Sequence, residues 1–401
     1  MLRKLRFALQ LTILAVASAP ASALAQSTEF SRLVNRLSEP GGYFDSDNLV
    51  SNETSYLHVL PALRALGVQG GAYLGVGPEQ NFSYVAEIRP ELAILIDIRR
   101  DNMLLHLLFK AMFEVSRNRM EYLCLLYGRP APPVLARWTD QPLQDILTYL
   151  DITPGDSAAH SRSHAELMDR VTRFGVPLTD SDRVTLRRFH DEFLAQGLEL
   201  TFSSRGRPAR PGYPSERQLY LATDLDGNPG SYLSSEERFR VVRELQRNDR
   251  IVPVVGDLSG PTAMKAIAAY LKELKQPVSA FYVSNVEMYL FRQGNFGKYV
   301  ENVRVLPASP SSVLIRSFFG RGTMWNSANL GDSPFPLALP GHLSAQQLQP
   351  FQAFLQLTAN LDSVDYLRVL TTGAVDLRAP VRPPRSPRRR RAARASRERS
   401  A

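Results

Sequence analysis

The chain predicts an α/β fold, a doubly wound, mostly parallel sheet broken by a helical insertion. Two stretches carry that expectation. In Gly71 to Arg100, a short apolar run (Ala72-Tyr73-Leu74) breaks into Gly75-Val76-Gly77. An amphipathic segment follows, then a second apolar run, Leu92 to Ile96, that ends at Asp97. This reads as strand, glycine turn, helix, strand, acid. After residue 234, short β-branched runs again alternate with amphipathic helices, the rhythm of parallel strands covered by helices.

Residues 26–70 form an N-terminal, mostly helical segment. Phe30 to Leu37 is amphipathic and stops at Glu39-Pro40-Gly41-Gly42, and Ser51 or Asn52 is placed to cap a helix over Tyr56 to Leu66. Residues 71–118 form the first half of the sheet domain. Gly75 and Gly77 allow a sharp turn and close approach of a ligand, and the next helix is expected from near Pro78. A long helix runs from about Met103 to Val115, with Leu104, Leu105, Leu108 and Met112 facing a core and His106 between apolar neighbours as a packed or surface histidine rather than a ligand.

Residues 119–233 lose the strand–helix rhythm and read as a mainly helical insertion covering one edge of the sheet. Its helices are expected at Pro142–Leu150, Ala165–Phe174 and Asp180–Gln196, with a flexible basic loop at 203–215. His160 and His164 have i,i+4 spacing but enclose Ser161-Arg162-Ser163 without the glutamate of a zinc helix, so no metal is assigned. Asp224-Leu225-Asp226-Gly227-Asn228 opens like a calcium loop, but Ser235 stands where the closing glutamate belongs, leaving a tight Asp-Gly turn.

Residues 234–379 form the second half. Ser234 and Glu237 make an S-x-x-E start for a helix through Arg247. Strands follow at Ile251–Val255, ending Gly256-Asp257, at Val278–Val283, ending Ser284-Asn285-Val286-Glu287, and at Ser312–Arg316, with a helix from Gly260-Pro261 to about Lys275. Gly75/Gly77, Asp97, Asp257 and Asn285/Glu287 therefore all stand at strand carboxyl ends, where open α/β sheets bind ligands.

The net charge of +9 on 401 residues belongs to the ends of the chain. Ten arginines against Glu398 in 378–401 carry +9, and Arg3, Lys4 and Arg6 carry +3, which leaves 7–377 at −3. The tail 380–401 is Pro, Arg, Ser and Ala without apolar periodicity and is expected to be disordered. It suits anionic surfaces or nucleic acid, or serves as a solvated extension. Met1 to Ala25 has a basic start, an apolar run from Phe7 to Ala17 and the small-residue end Ala23-Leu24-Ala25. This is the layout of a secretory signal peptide, so a periplasmic or secreted protein is expected, with an N-terminal membrane anchor as the alternative. The apolar run is too short to span a bilayer, and the mature chain is expected to have no transmembrane span. The single cysteine, Cys124, excludes an internal disulfide and a multi-cysteine metal site, and sits in an apolar run as a buried thiol.

The Gly75-x-Gly77 turn, the helix after it and the acid Asp97, 20 positions beyond Gly77, resemble motifs I and II of the class I S-adenosylmethionine-dependent methyltransferases, a Rossmann-like superfamily. The chain departs from that pattern at Tyr73, where an acid is usual, and at Glu79, where a third glycine is usual. The resemblance covers about 50–120 and 235–320. It implies S-adenosylmethionine as cofactor, held by Gly75, Gly77, Glu79, Asp97, Arg99 and Asp257. Asn285 and Glu287 take the catalytic positions, and Asn52, Glu53 and Ser55 lie on the substrate side. Its Ser-Asn-Val-Glu differs from the acceptor-loop sequences of the superfamily, so the methyl acceptor is not carried over. Two other readings stand beside it. An exported protein has no evident supply of a cytoplasmic metabolite, which points to a non-catalytic ligand-binding protein on the same fold. A nicotinamide-dependent oxidoreductase would also use Asp97, but Gln80 replaces its third glycine and no Tyr-x-x-x-Lys is evident.

Overall fold

The computed structural model describes residues 29–46, 48–205, 211–319 and 339–378. The expected signal peptide (1–25) and basic tail (380–401) lie outside them, as does the middle of the loop 203–215. One sheet contains β1 Ala72–Gly75, β2 Leu92–Asp97, β3 Ile251–Val255, β4 Val278–Ser284, β5 Ala308–Phe318 and β6 Ala345–Pro350, in the order β3-β2-β1-β4-β5-β6. Strands β1 to β5 run parallel, and β6 is antiparallel to β5. With about fifteen helices around it, this is an α/β protein with a six-stranded, mostly parallel sheet.

Every residue of β1 and of β3 is buried, as the continuous apolar runs require of strands covered on both faces. Pro253 inside β3 lacks an N–H for a ladder, and β3 tolerates it because it is an edge strand with a single neighbour, β2. The other edge, β6, was not expected, since Gln346, Gln347 and Gln349 break its apolar pattern. Those amides are buried, and two are used internally. Gln346 Nε2 donates to Glu53 Oε2 at 2.9 Å and Gln349 Nε2 to the Thr372 carbonyl at 2.5 Å.

The N-terminal half contributes α1 (29–37), α2 Leu60–Leu66, α3 Asn81–Ile88, α4 Arg100–Val115 and α5 Arg119–Leu126. Next come α6 Leu143–Ile152, α7 Ser157–Arg173, α8 Asp180–Gln196, α9 Glu216–Tyr220 and α10 Glu236–Arg247. The remainder are α11 Ala263–Glu273, α12 Val286–Arg292, α13 Phe296–Arg304, α14 Phe351–Leu357 and α15 Tyr366–Thr371. Helix α4 lies on β2 and β3, and α7 and α8 of the insertion pack on α4. The insertion thus covers a helix layer, whereas the sheet edge was expected. The reason is that α4 is buried almost all round, from Asn102 to Phe113. No helix among the described residues is long and apolar enough to cross a membrane.

Several helix starts differ from expectation for local reasons. Neither Ser51 nor Asn52 caps α2; the helix begins at Leu60, with Pro61 in its first turn, where the missing N–H costs nothing. Ser235, one residue after the expected Ser234, caps α10 by accepting from the Arg238 N–H at 3.2 Å. Glu237 turns instead to Arg89. The Asp-Gly turn is as expected: Asp224 Oδ1 accepts from the backbone N–H groups of Asp226 and Asn228, each at 3.0 Å.

Candidate functional site

The carboxyl ends of β1, β2, β3 and β4 converge on one cleft. Its floor carries Gly77, Asp97, Arg99, Asp257, Ser284 and Asn285. Tyr43, Phe44, Phe202 and Tyr289 form aromatic walls, and Asn48 and Asn52 from the N-terminal segment close one side. The volume is about 170 Å³, an order of magnitude beyond the ~10–15 Å³ that one water needs.

The glycine turn is built from behind. Asn81, at the start of α3, donates its amide to the carbonyls of Val76 (2.9 Å), Gly77 (3.3 Å) and Pro78 (2.7 Å) and accepts from the Tyr73 hydroxyl at 2.8 Å. The buried ring of His106 pairs its Nε2 with the Gly77 carbonyl at 2.9 Å. Burial holds the His106 pKa down to about 4, so the ring is neutral and Nε2 is the donor. The two glycines have different duties. Gly77 has φ +82°, which a side chain rarely adopts, and lies on the cleft. Gly75 is off the cleft lining; a Cβ there would stand 1.9 Å from Asn81 Oδ1, so its role is to let Asn81 fit. The helix after the turn starts at Asn81, later than the expected Pro78.

At the end of β2, Asp97 and Arg99 form a closed pair. Asp97 Oδ1 accepts from the Arg99 backbone N–H (2.9 Å) and Nε (3.1 Å), and Oδ2 accepts from Nη2 (2.9 Å). Arg99 Nη1 reaches on to the Ser46 carbonyl at 2.8 Å, tying the N-terminal segment to the cleft. A hydroxyl at Asp97 would share its remaining lone pairs with that guanidinium. Asp257, past β3, uses Oδ1 for the Ser259 N–H (2.7 Å) and hydroxyl (2.8 Å); its Oδ2 has no partner among the described residues. The nearby N-terminus of α11 is filled from within. Glu39 accepts from the N–H groups of Asp257, Thr262 and Ala263, each at 2.9 Å, and from the Thr262 hydroxyl at 2.7 Å. Burial alone would push the Glu39 pKa up, but these donors hold it below the usual carboxylate range.

Of the residues expected from sequence, Asn52, Gly77, Asp97, Arg99, Asp257 and Asn285 line the cleft, and Gly75, Glu53, Ser55, Glu79 and Glu287 do not. Ser55 is spent on the Ser344 hydroxyl at 2.8 Å. Glu53 is buried behind Ser284, whose hydroxyl donates to its Oε1 at 2.5 Å. Glu79 turns inward, accepting from Tyr232 (2.8 Å) and Tyr220 (3.2 Å) beside the second buried acid Glu216. Glu287 also turns inward and forms an ion pair with Arg316, both side chains 1% exposed. The expected catalytic carboxylate is therefore held by a cation away from the cleft. Sequence reasoning missed Asn81, His106, Glu39 and the aromatic walls, none of which falls in a motif. The three histidines of the insertion come together: His164 and His190 meet through their Nδ1 atoms at 3.1 Å, and His160 pairs with Asp191 at 3.0 Å. They form no metal-binding group among the described residues.

Fold and site together define an α/β protein with one cleft at the carboxyl ends of its parallel strands. The chain belongs to the family described as Domain of unknown function (DUF7790), whose model matches residues 48–129 and 205–378. The unmatched stretch between them holds α6, α7 and α8, so the matched parts contain all six strands and leave the centre of the helical insertion outside. No curated protein matches the chain.

Proposed function

We propose that this is an exported, methyltransferase-like protein with a Rossmann-like, doubly wound sheet, and that its cleft binds S-adenosylmethionine or a related nucleoside. The observation that carries the reading is the position of three features on one floor: the left-handed Gly77 turn, Asp97 at the end of β2, and Asp257 past β3. The strand order 3-2-1-4-5-6 supports it, because it places β1 and β4 side by side at the point where the order reverses. Gly77 lets a chain of atoms pass close to the backbone, Asp97 suits a ribose diol, and Asp257 Oδ2 suits an exocyclic amine. Phe44 and Tyr289, packed edge to face at 5.3 Å, supply an apolar wall for a base.

The Glu287–Arg316 pair favours a second reading, in which the cleft holds a nucleoside-type ligand without methyl transfer. Methyl transfer requires in-line placement of a nucleophile, and the carboxylate expected to assist it is turned away. Titration of the purified protein with S-adenosylmethionine and S-adenosylhomocysteine tests the shared part of both readings. Binding in the micromolar range that is lost in a folded Asp97→Ala variant is expected. Equal binding by the variant would sink the assignment.

A further inference from the structure

Five non-glycine residues among the described residues have a left-handed backbone: Asn48, Arg89, Asp249, Lys275 and Ser284. Arg89, Asp249 and Lys275 end α3, α10 and α11, where that conformation is ordinary. Asn48 is of a residue type that tolerates it. Ser284, with φ +51°, is different: it ends strand β4, and only Asn285 separates it from the start of α12. The pairing of β4 with β5 is also irregular between Tyr282 and Ser284, a distortion that re-aims side chains next to functional sites. A strained residue at a strand-to-helix turn, at the carboxyl edge of a parallel sheet, is the arrangement by which hydrolases present a serine hydroxyl.

The hydroxyl has a partner suited to that role. Ser284 lines the cleft, while its Oγ donates to Glu53 Oε1 at 2.5 Å. Glu53 is 1% exposed and held from the other side by Gln346 Nε2 at 2.9 Å. Among its described hydrogen-bond partners there is no cation, and burial raises its proton affinity, as a base for a hydroxyl needs. We propose that Ser284 is the nucleophile of an acyl-transfer site in this cleft, with Glu53 as its base and a small carboxylic ester as its class of substrate. Ser284 Oγ bonds to the ester carbonyl carbon while its proton passes to Glu53; the ester C–O bond breaks, and the proton goes on to the departing alkoxide, which leaves as an alcohol. Water then attacks the acyl-serine, gives its proton to Glu53, and releases the carboxylic acid as Ser284 recovers that proton. This goes beyond the nucleoside reading of the same cleft and does not depend on it.

The test is incubation of the purified protein with a small alkyl fluorophosphonate, read by intact mass and peptide mapping. The reagent bonds its phosphorus to an activated serine Oγ and loses fluoride. One adduct on Ser284 is expected, none in Ser284→Ala, and labelling about 100-fold slower in Glu53→Gln, the contribution of a general base. Absence of label in the wild-type protein, or label elsewhere, overturns the proposal whether or not either variant folds. An unchanged rate in a folded Glu53→Gln variant would remove Glu53 from it. Labelling requires no nucleoside, so its failure and failure of S-adenosylhomocysteine binding are separate results.

Discussion

Glu79 and Glu287 stand in comparable places, each a few residues past the end of a central strand, and each turns away from the cleft into the protein. Their surroundings are opposite. Glu79 faces another acid, Glu216, within a ring of tyrosines whose hydroxyls donate to both carboxyls. Glu287 faces Arg316, which stacks over Phe354 with its guanidinium 5.3 Å from the ring centroid. Burial pushes the Glu79 pKa up to about 7, and the Tyr232 and Tyr220 hydroxyls offset only part of that. The same position relative to a strand end therefore yields a pair of acids that hold their protons tightly after β1 and an ion pair after β4. What separates them is the sign of the residue delivered from far along the chain: Glu216 by α9, Arg316 by β5.

The largest effect is expected where that sign is removed. Arg316→Met leaves the Glu287 carboxylate buried without its cation, and urea denaturation should show a loss of about 3–5 kcal/mol. Adding Glu287→Gln should recover much of it. A loss below about 1 kcal/mol would mean that Glu287 is not held as an ion.

The acid pair should respond to pH in the other direction from an ordinary ion pair. Glu79 binds its proton more tightly in the folded protein, its pKa pushed by burial from the ordinary carboxylate range up to about 7. Its contribution is complete below pH 4.5 and is lost as pH rises through about 7. Stability curves from pH 4.5 to 8 should fall in the wild-type protein and fall less in Glu79→Gln. Equal slopes would remove Glu79 as the source.

The two glycines sharpen the contrast between building the cleft and lining it. Gly77→Ala should cost about 1–2 kcal/mol through its left-handed backbone alone, since a Cβ there meets nothing nearer than 3.4 Å. Gly75→Ala, which drives a Cβ into Asn81, should cost more. Ligand affinity relative to stability should suffer more in Gly77→Ala.

Five of the six strands were legible in the sequence because parallel strands buried on both faces must be apolar throughout, as in Leu92–Ile96 and Ile251–Val255. Strand β6 was not, because its glutamines are paired to Glu53 and to Thr372, contacts that no local pattern announces. The polar residues at four strand ends pointed to a cleft there, and Gly77, Asp97, Asp257 and Asn285 line one. They did not reveal which side chains face it. Asn52 and Glu53 are neighbours, yet one lines the cleft and the other lies behind Ser284. Asn81 and His106 hold the glycine turn through backbone carbonyls, which carry no residue signature.

The central claim is that the four strand ends form a ligand site. Hydrogen–deuterium exchange of the purified protein, with and without S-adenosylhomocysteine, tests it most directly. The account predicts protection confined to the backbone around Gly77, Asp97–Arg99, Gly256–Leu258 and Ser284–Val286. Protection of the insertion helices α6 to α8 instead, with those four segments unchanged, would contradict it.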